Sequence, residues 1–309
     1  VIYTVTLNPA IDKTIVLEKL KIGSVNRTIF SRTDVGGKGI NVSKVLKILG
    51  CKSTATGILG NKNADMFIEY LHNLDIETKF HIIEGESRTN IKIVEKNNNM
   101  CTDINDKGLK VQQDEINKFI TSLLASVTDG DIVVLCGSLP VGVNPDIYKE
   151  IILQLNERKV KTILDADDKP LVEGIEGAPH IVKPNISELK KIANVSEENT
   201  HSIIESGRKL IEKGIEKVLI SLGSKGSYYI TSEVCLYAFP IEVDIKSTVG
   251  AGDSLVAGLA YSLENNLNEY ETLKLATASA TAKIMTEGTK EPNYNLIQEL
   301  LDKVKIIEC

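Results

Sequence analysis

The chain has 309 residues, 42% hydrophobic and 25% charged, an ordinary globular balance that excludes a disordered chain, and no apolar run approaches the roughly 18 residues of a transmembrane helix. A formal net charge of -6 provides no broad basic field for a nucleic-acid backbone. Five scattered cysteines without a C-x-x-C pair and four histidines without paired spacing suggest neither a disulfide framework nor a zinc site, so a reducing cytoplasm is expected.

Ile2 to Leu7 alternates as a strand and lacks the order of basic, apolar and small residues found in a secretory signal. A helix over Asn41 to Leu49, a strand over Thr54 to Leu59 and a helix over Asp65 to Leu74 follow. The alternation continues through a helix at Ile116 to Ala125, a buried strand at Ile132 to Cys136, a helix at Pro145 to Asn156 and a strand at Val160 to Leu164. It runs on through His180 to Lys183, the helix Ile203 to Lys213 and the strand Lys217 to Ser221. The last third is helical, over Ser254 to Leu263, Tyr270 to Met285 and Asn295 to Val304. Continuously apolar strands separated by helices imply an α/β fold with a parallel sheet covered on both faces.

Two segments, about 12–31 and 86–102, break this texture. Thr14-Ile-Val-Leu17, Asn26-Arg-Thr-Ile-Phe30 and Asn90-Ile-Lys-Ile-Val-Glu95 have strand propensity without an intervening helix, and Lys96-Asn-Asn-Asn-Met100 suits a polar turn. They are expected to form a small sheet projecting from a single domain of residues 1–309. Its open edge and face need cover, from substrate or from a second subunit, so it is expected to act as a lid and to dimerise.

Ser247-Thr-Val-Gly-Ala-Gly-Asp-Ser254, followed by the apolar run Leu255-Val-Ala-Gly-Leu-Ala260, sets a carboxylate where a glycine loop enters a helix. Free N–H groups at a helix start stabilise an anion, and Asp253 beside them suits a base that deprotonates a hydroxyl attacking a phosphoryl group. Gly36-Gly-Lys-Gly39 opens an earlier helix but lacks Walker A spacing; Lys38 can grip a phosphate and Asn41 a sugar hydroxyl, or the turn merely caps the helix. Asp12 follows the first strand, where a carboxylate either accepts from two hydroxyls or serves as a turn residue. Arg88 can clamp a phosphate or simply lie exposed. Asn185 and Glu188, three apart after a strand, either organise magnesium through water or cap a helix. Ser221-Leu-Gly-Ser-Lys-Gly-Ser227 and Gly137-Ser-Leu-Pro140 add small polar loops after strands, at what is expected to be one crevice.

Taken together, Gly36-Gly-Lys-Gly39, Lys183-Pro-Asn-Ile-Ser-Glu188 and Thr248-Val-Gly-Ala-Gly-Asp253 resemble the signatures of the ribokinase-like, or PfkB, carbohydrate kinases over essentially the whole chain. Thr6-Leu-Asn-Pro-Ala-Ile-Asp12, Lys38, Arg88 and Cys136-Gly-Ser-Leu-Pro140 resemble its sugar-phosphate branch of 1-phosphofructokinases and tagatose-6-phosphate kinases. Ser254 and Leu255 replace the Ala-Phe that follows the aspartate in many relatives, a departure similar to the 1-phosphofructokinase branch.

The resemblance implies a three-layer sandwich with a mostly parallel central sheet and a small β-sheet lid, using ATP and Mg2+. It makes Asp253 the base and Gly250, Ala251 and Gly252 the anion hole. Asp12, Gly37, Asn41 and Ser138 would orient the sugar, and Lys38 and Arg88 would hold its phosphate, with Arg27 a weaker candidate. Lys183, Asn185, Ser221, Gly223, Ser224, Gly226 and Thr248 would meet ATP, and Glu188 with Asn185 the metal. The implied reaction converts fructose 1-phosphate to fructose 1,6-bisphosphate, with tagatose 6-phosphate as rival acceptor. A non-catalytic sugar-phosphate sensor and a Rossmann oxidoreductase are the readings from other classes. Retained Asp253 and Glu188 count against the first, and a missing G-x-G-x-x-G after the first strand counts against the second.

Overall fold

Apolar runs too continuous to leave a solvated face become strands buried on both sides. The computed structural model describes residues 1–97, 100–193, 199–288 and 290–309. From the N-terminus, β1 (Ile2–Thr6), β2 (Ala10–Leu17) and β3 (Phe30–Gly36) lead to α1 (Lys38–Ile48), β4 (Ser53–Gly60), α2 (Ala64–His72) and β5 (Glu77–Ile83). Next come β6 (Arg88–Glu95), β7 (Met100–Ile104), α3 (Gln113–Leu124), β8 (Ile132–Cys136), α4 (Ile147–Asn156), β9 (Lys161–Asp165) and α5 (Asp168–Ile175). The chain continues through β10 (Ile181–Val182), α6 (Ile186–Ala193), α7 (Thr200–Glu212), β11 (Lys217–Ser221), a 3-10 turn at Gly223–Lys225, β12 (Ser227–Ile230) and β13 (Cys235–Ala238). It closes with α8 (Ala251–Glu264), α9 (Glu269–Ile284), α10 (Tyr294–Leu301) and β14 (Ile306–Glu308).

Ten strands form one sheet in the order β14-β13-β12-β11-β10-β9-β8-β1-β4-β5. From β11 to β5 every pairing is parallel. Alternate residues of each strand enter opposite cores. Val133 and Leu135 of β8 join Ile116, Phe119, Ile151 and Leu171 from α3, α4 and α5, whereas Ile132, Val134 and Cys136 join Val45, Val256, Leu259 and Ala276 from α1, α8 and α9. The result is the expected α/β/α sandwich, with helices on both faces of a mostly parallel sheet.

Three strands depart from a wholly parallel sheet: β12, β13 and β14 pair antiparallel at one edge. The link from β12 to β13 is too short for a crossover, so only a hairpin is available. The strands β13 and β14 interrupt a last third expected to be helical, and β5 and α5 were not anticipated either. In β5, polar Thr78, Lys79 and His81 interrupt the apolar signal; in α5, Leu171 and Ile175 are the apolar pair of a short helix containing Pro170 and Gly174.

A separate four-stranded sheet, β3-β2-β6-β7, draws on residues 10–36 and 88–104. Here β2 pairs antiparallel with β3 and parallel with β6. The strand propensity over Asn26 to Phe30 yields a strand only from Phe30. The Asn26 side chain accepts from Lys21 N at 2.8 Å and donates to Lys21 O at 2.9 Å, folding that stretch on itself instead. Asn98 and Asn99 of the anticipated polar turn lie outside the described residues.

The helices α8 and α9 touch closely because Gly258 has no side chain: a Cβ there would lie 2.6 Å from Ala276 Cα. Gly258→Val is expected to cost about 1–3 kcal/mol by overpacking. Chemical denaturation should show an earlier midpoint; an unchanged midpoint would mean the two helices can separate freely.

Candidate active site

Parallel pairing brings the C-terminal ends of β1, β8, β9, β10 and β11 to one edge of the sheet, where the following loops carry Ser138, Lys183, Asn185, Gly223, Ser224 and Gly226, while Gly37 to Asn41 open α1 and Gly250 to Asp253 open α8. Asp253 sits in the first turn of α8 behind Gly250, whose φ of 79° is accessible to glycine at little cost. A Cβ at Gly250 would also meet Lys283 Cε at 2.8 Å. First-turn N–H groups have no intrahelical acceptor, so Gly250 and Gly252 offer donors beside the carboxylate, with Ala251 N between them at 3.4 Å from Thr248 O. Asn41, one turn into α1, donates to Asp253 Oδ2 at 2.8 Å, joining the two glycine-led helix starts.

Asp253 is buried, and that burial, reinforced by the charge of Asp165, pushes its carboxyl up to about 6, against the Asn41 hydrogen bond and the cations Lys38 and Lys183. Relative to the ordinary value of 3.8, ionising Asp253 in the folded chain costs about 3 kcal/mol. The folded state binds this proton more tightly than the unfolded one. Asp253 therefore lowers stability as pH rises from about 4 to about 6, and the full cost remains above that window.

Asp165, at the end of β9, is 1% exposed and accepts two cations: Lys183 Nζ at 3.2 Å and Lys38 Nζ at 3.5 Å. Burial alone would raise its carboxyl, but the two lysines outweigh that and hold it below the usual range. Lys38 also donates to Asp167 at 2.8 Å. Burial disfavours the Lys38 ammonium, yet Asp165 and Asp167 keep its proton held more firmly than in water. Lys38, expected to face a sugar phosphate, is thus engaged by two carboxylates.

On the second sheet, Asn90 donates to Asp12 at 3.0 Å, and burial raises the Asp12 carboxyl. Arg88 donates to Asn8 O at 2.9 and 3.1 Å and to Asp106 O at 3.2 Å, and lies 3.4 Å from Ser138 Oγ. Arg88 and Ser138 are therefore neighbours. Arg27 is exposed between β2 and β3 and makes no hydrogen bond or ion pair with the cluster. Gly37 is the N-cap of α1.

On the opposite flank, Asn185 N donates to Glu188 Oε2 at 2.8 Å and Glu188 N to Asn185 Oδ1 at 2.9 Å. This reciprocal pair is the capping alternative, and it engages one of the two Glu188 oxygens and the single side-chain oxygen of Asn185. Burial, and then the nearby charge of Asp165, keeps the Glu188 carboxyl raised. Asn185 also bridges to Ser221, leading into the turn that holds Gly223 and Ser224. Gly226 ends this turn at φ 87°, where a Cβ would lie 2.2 Å from Ala238 O on β13. Thr248 O accepts Ala251 N at 3.4 Å, closing the loop that enters α8.

A family described as pfkB family carbohydrate kinase matches residues 6–295. The chain belongs to that family. A 1-phosphofructokinase of Haemophilus influenzae is 38% identical over 306 residues, 99% of this chain and 97% of that protein. One of Bacillus subtilis is 32% identical over 307 residues, 99% of each chain. The phosphofructokinase-2 of Escherichia coli in complex with potassium superposes with a TM-score of 0.93 at 23% identity over 98% of both chains, a likeness of fold.

Within this pfkB chain, Asp165 and Asp167 were missed in the sequence, although Asp165 ends an apolar strand just as Asp12 follows one. Lys283, Lys44 and Glu291 gave no sequence signal. Lys283 Nζ donates to Gly288 O at 3.3 Å and to Lys290 O, and Lys44 Nζ lies 3.6 Å from Glu291. Of these, Lys283 runs alongside Gly250 at the entry to α8. A cavity of about 730 Å³ lies elsewhere, by Lys217 at the start of β11, Glu233 and Asn268, and contains none of the expected site residues.

If the Asn41 bond holds down the Asp253 carboxyl, Asn41→Ala should move its titration upward from about 6. A 13C-carboxyl NMR titration reads this directly, independent of turnover; an unmoved or lower value would show that the bond contributes nothing to the ionised form.

Proposed function

We propose that this chain transfers the γ-phosphoryl group of ATP to a ketohexose phosphate, converting fructose 1-phosphate to fructose 1,6-bisphosphate. The observation that carries this reading is the buried carboxyl of Asp253, poised near 6 at the start of α8 and steadied by Asn41 from α1. A base in that range is largely ionised at neutral pH yet takes a proton more readily than an ordinary aspartate. The 1-phosphofructokinase names of relatives 32–38% identical over nearly the whole chain support the acceptor.

In this reading the free C6 hydroxyl of the sugar gives its proton to Asp253 as its oxygen bonds to the γ-phosphorus. The bond from that phosphorus to the bridging oxygen breaks, and ADP departs with the electron pair. The N–H groups of Gly250, Ala251 and Gly252 face the transferring oxygens. Lys38 with Arg88 holds the acceptor's own phosphate, and Lys183, paired like Lys38 with Asp165, provides positive charge for the triphosphate. Asp12, Gly37, Asn41, Ser138 and Arg88 orient the sugar phosphate. Thr248, Ser221, Gly223, Ser224 and Gly226 line the nucleotide side.

Among the described residues no group of three or more histidine, cysteine or acidic side chains is arranged to hold a metal alone. The hard oxygen donors Glu188 and Asn185 nonetheless fit Mg2+ bound through water and the nucleotide's own phosphates. Bound there, Mg2+ would neutralise charge on the triphosphate.

The second sheet is proposed to act as a lid over the sugar and as a dimer contact. Its β7 is exposed throughout, and Phe30, Met100 and Ile104 present apolar side chains to solvent. Among the described residues no helix is long and apolar enough to cross a membrane, and a cytoplasmic location suits the reading.

ADP release with fructose 1-phosphate, tagatose 6-phosphate and fructose, each at matched concentration, tests the acceptor. Fructose 1-phosphate should give the highest kcat/KM. Preference for tagatose 6-phosphate would reassign it, and comparable turnover of fructose would remove the phosphate clamp. Asp253→Asn should retain sugar-phosphate binding by calorimetry and lose roughly 10²-fold or more in kcat. Near-normal turnover would end its role as base.

A further inference from the structure

Away from this site, the outer edge of the large sheet brings two sulfurs together. The register that pairs Tyr237 with Ile307 and Leu236 with Glu308 continues to set Cys235 opposite Cys309. Cys309 N donates to Cys235 O at 2.8 Å, and the two Sγ atoms are 3.0 Å apart. Opposed residues in such a pair have Cα atoms roughly 4.5–5.5 Å apart, within the span of a disulfide. Closing the bond requires the sulfurs to approach by only about 1 Å. Among the described residues Cys51, Cys101 and Cys136 have no sulfur partner.

We propose that Cys235 and Cys309 are a redox modification site that closes into a reversible disulfide across β13 and β14 when the protein meets a small-molecule disulfide. Cys309 is exposed and Cys235 buried, which fixes the order of events. The Cys309 thiolate attacks one sulfur of the small disulfide, forming a mixed disulfide and expelling one thiolate. Cys235 then gives up its proton and attacks the Cys309 sulfur, expelling the second thiolate. The protons from the two cysteine thiols end on the two released thiols; the protein dithiol loses two electrons and the small disulfide gains them. Burial, and then the hydrogen bond with Cys309, pushes the Cys235 thiol up to about 12, which makes it a poor first nucleophile. A cavity of about 460 Å³ bordered by Arg208, Glu308 and both cysteines gives the oxidant access.

The clip would link residues 74 positions apart and restrain a short edge strand. It would also fasten β13, whose Tyr237 hydroxyl donates to Lys225 O at 2.6 Å in the turn after β11. The test uses the full-length reduced protein incubated with oxidised glutathione, then alkylated and examined by peptide mass mapping and thermal unfolding. The expected product is a linked pair of peptides containing Cys235 and Cys309 and lighter by two hydrogens, with a thermal midpoint several degrees higher that dithiothreitol reverses. Cys235→Ser should instead carry glutathione on Cys309 and show no such rise. A wild-type chain that stops at a glutathione adduct on Cys309, or keeps both thiols alkylatable, overturns the proposal.

Discussion

The candidate site depends on how a fully buried carboxylate, Asp165, is satisfied. An isolated ion in that position would be costly to desolvate, and unpairing such a group typically destabilises by about 3–5 kcal/mol. Its two partners come from different parts of the chain: Lys38 from the start of α1 and Lys183 from the end of β10. Satisfying one charge thus fixes two cations beside Asp253, and the same carboxylate helps raise the Asp253 proton affinity. Asp165 touches both sides of the proposed reaction without needing to touch a substrate.

The sheet makes that convergence possible. Parallel pairing leaves all the loops after β1, β8, β9, β10 and β11 at one edge, and α1 and α8 share one core on one face of the sheet, so residues separated by more than 200 positions, such as Asn41 and Asp253, come within hydrogen-bonding distance. The antiparallel edge has another use. Because β13 doubles back beside β12, Ala238 O and Tyr237 support the turn at Gly223–Lys225 from below, and the close approach at Gly226 leaves no room for a side chain.

Much of this arrangement was legible in the sequence because single residues carried strong local signals. Continuous apolar strands gave the buried sheet, and Gly250 to Asp253 and Gly36 to Gly39 marked the two helix starts. What stayed hidden was pairing across the chain. The ion pairs of Lys38 with Asp165 and Asp167 were not visible because those partners lie about 130 positions away, and nothing local links them. Asn185 and Glu188 show the opposite limit. Their spacing was read correctly, but helix caps and metal ligands require the same residue types at the same interval, and only the reciprocal bonds distinguish capping. The small sheet was recognisable from β-propensity, whereas its inner boundaries shifted because the Asn26 side chain competed for the backbone.

The same electrostatics divide the proposed reaction into two problems. Asp253 is tuned by burial and by Asp165, neither of which depends on the sugar, so its proton chemistry would serve any acceptor hydroxyl brought to it. Acceptor choice must therefore reside where geometry varies. That place is the second sheet, which holds Asp12 through Asn90 and aligns Arg88 with Ser138 and the carbonyl of Asn8. Arg88 already has its N–H groups directed at backbone carbonyls, and burial lowers its proton affinity against the pull of Asp12 and Asp106. In the proposed reading, an incoming sugar phosphate exchanges those neutral acceptors for charged oxygens, a trade favoured because charge-assisted hydrogen bonds are roughly twice as strong as neutral ones. A neutral sugar offers no such exchange. In the proposed reading, discrimination between phosphorylated and unphosphorylated acceptors therefore rests on this exchange at Arg88, and it leaves the base at Asp253 unchanged.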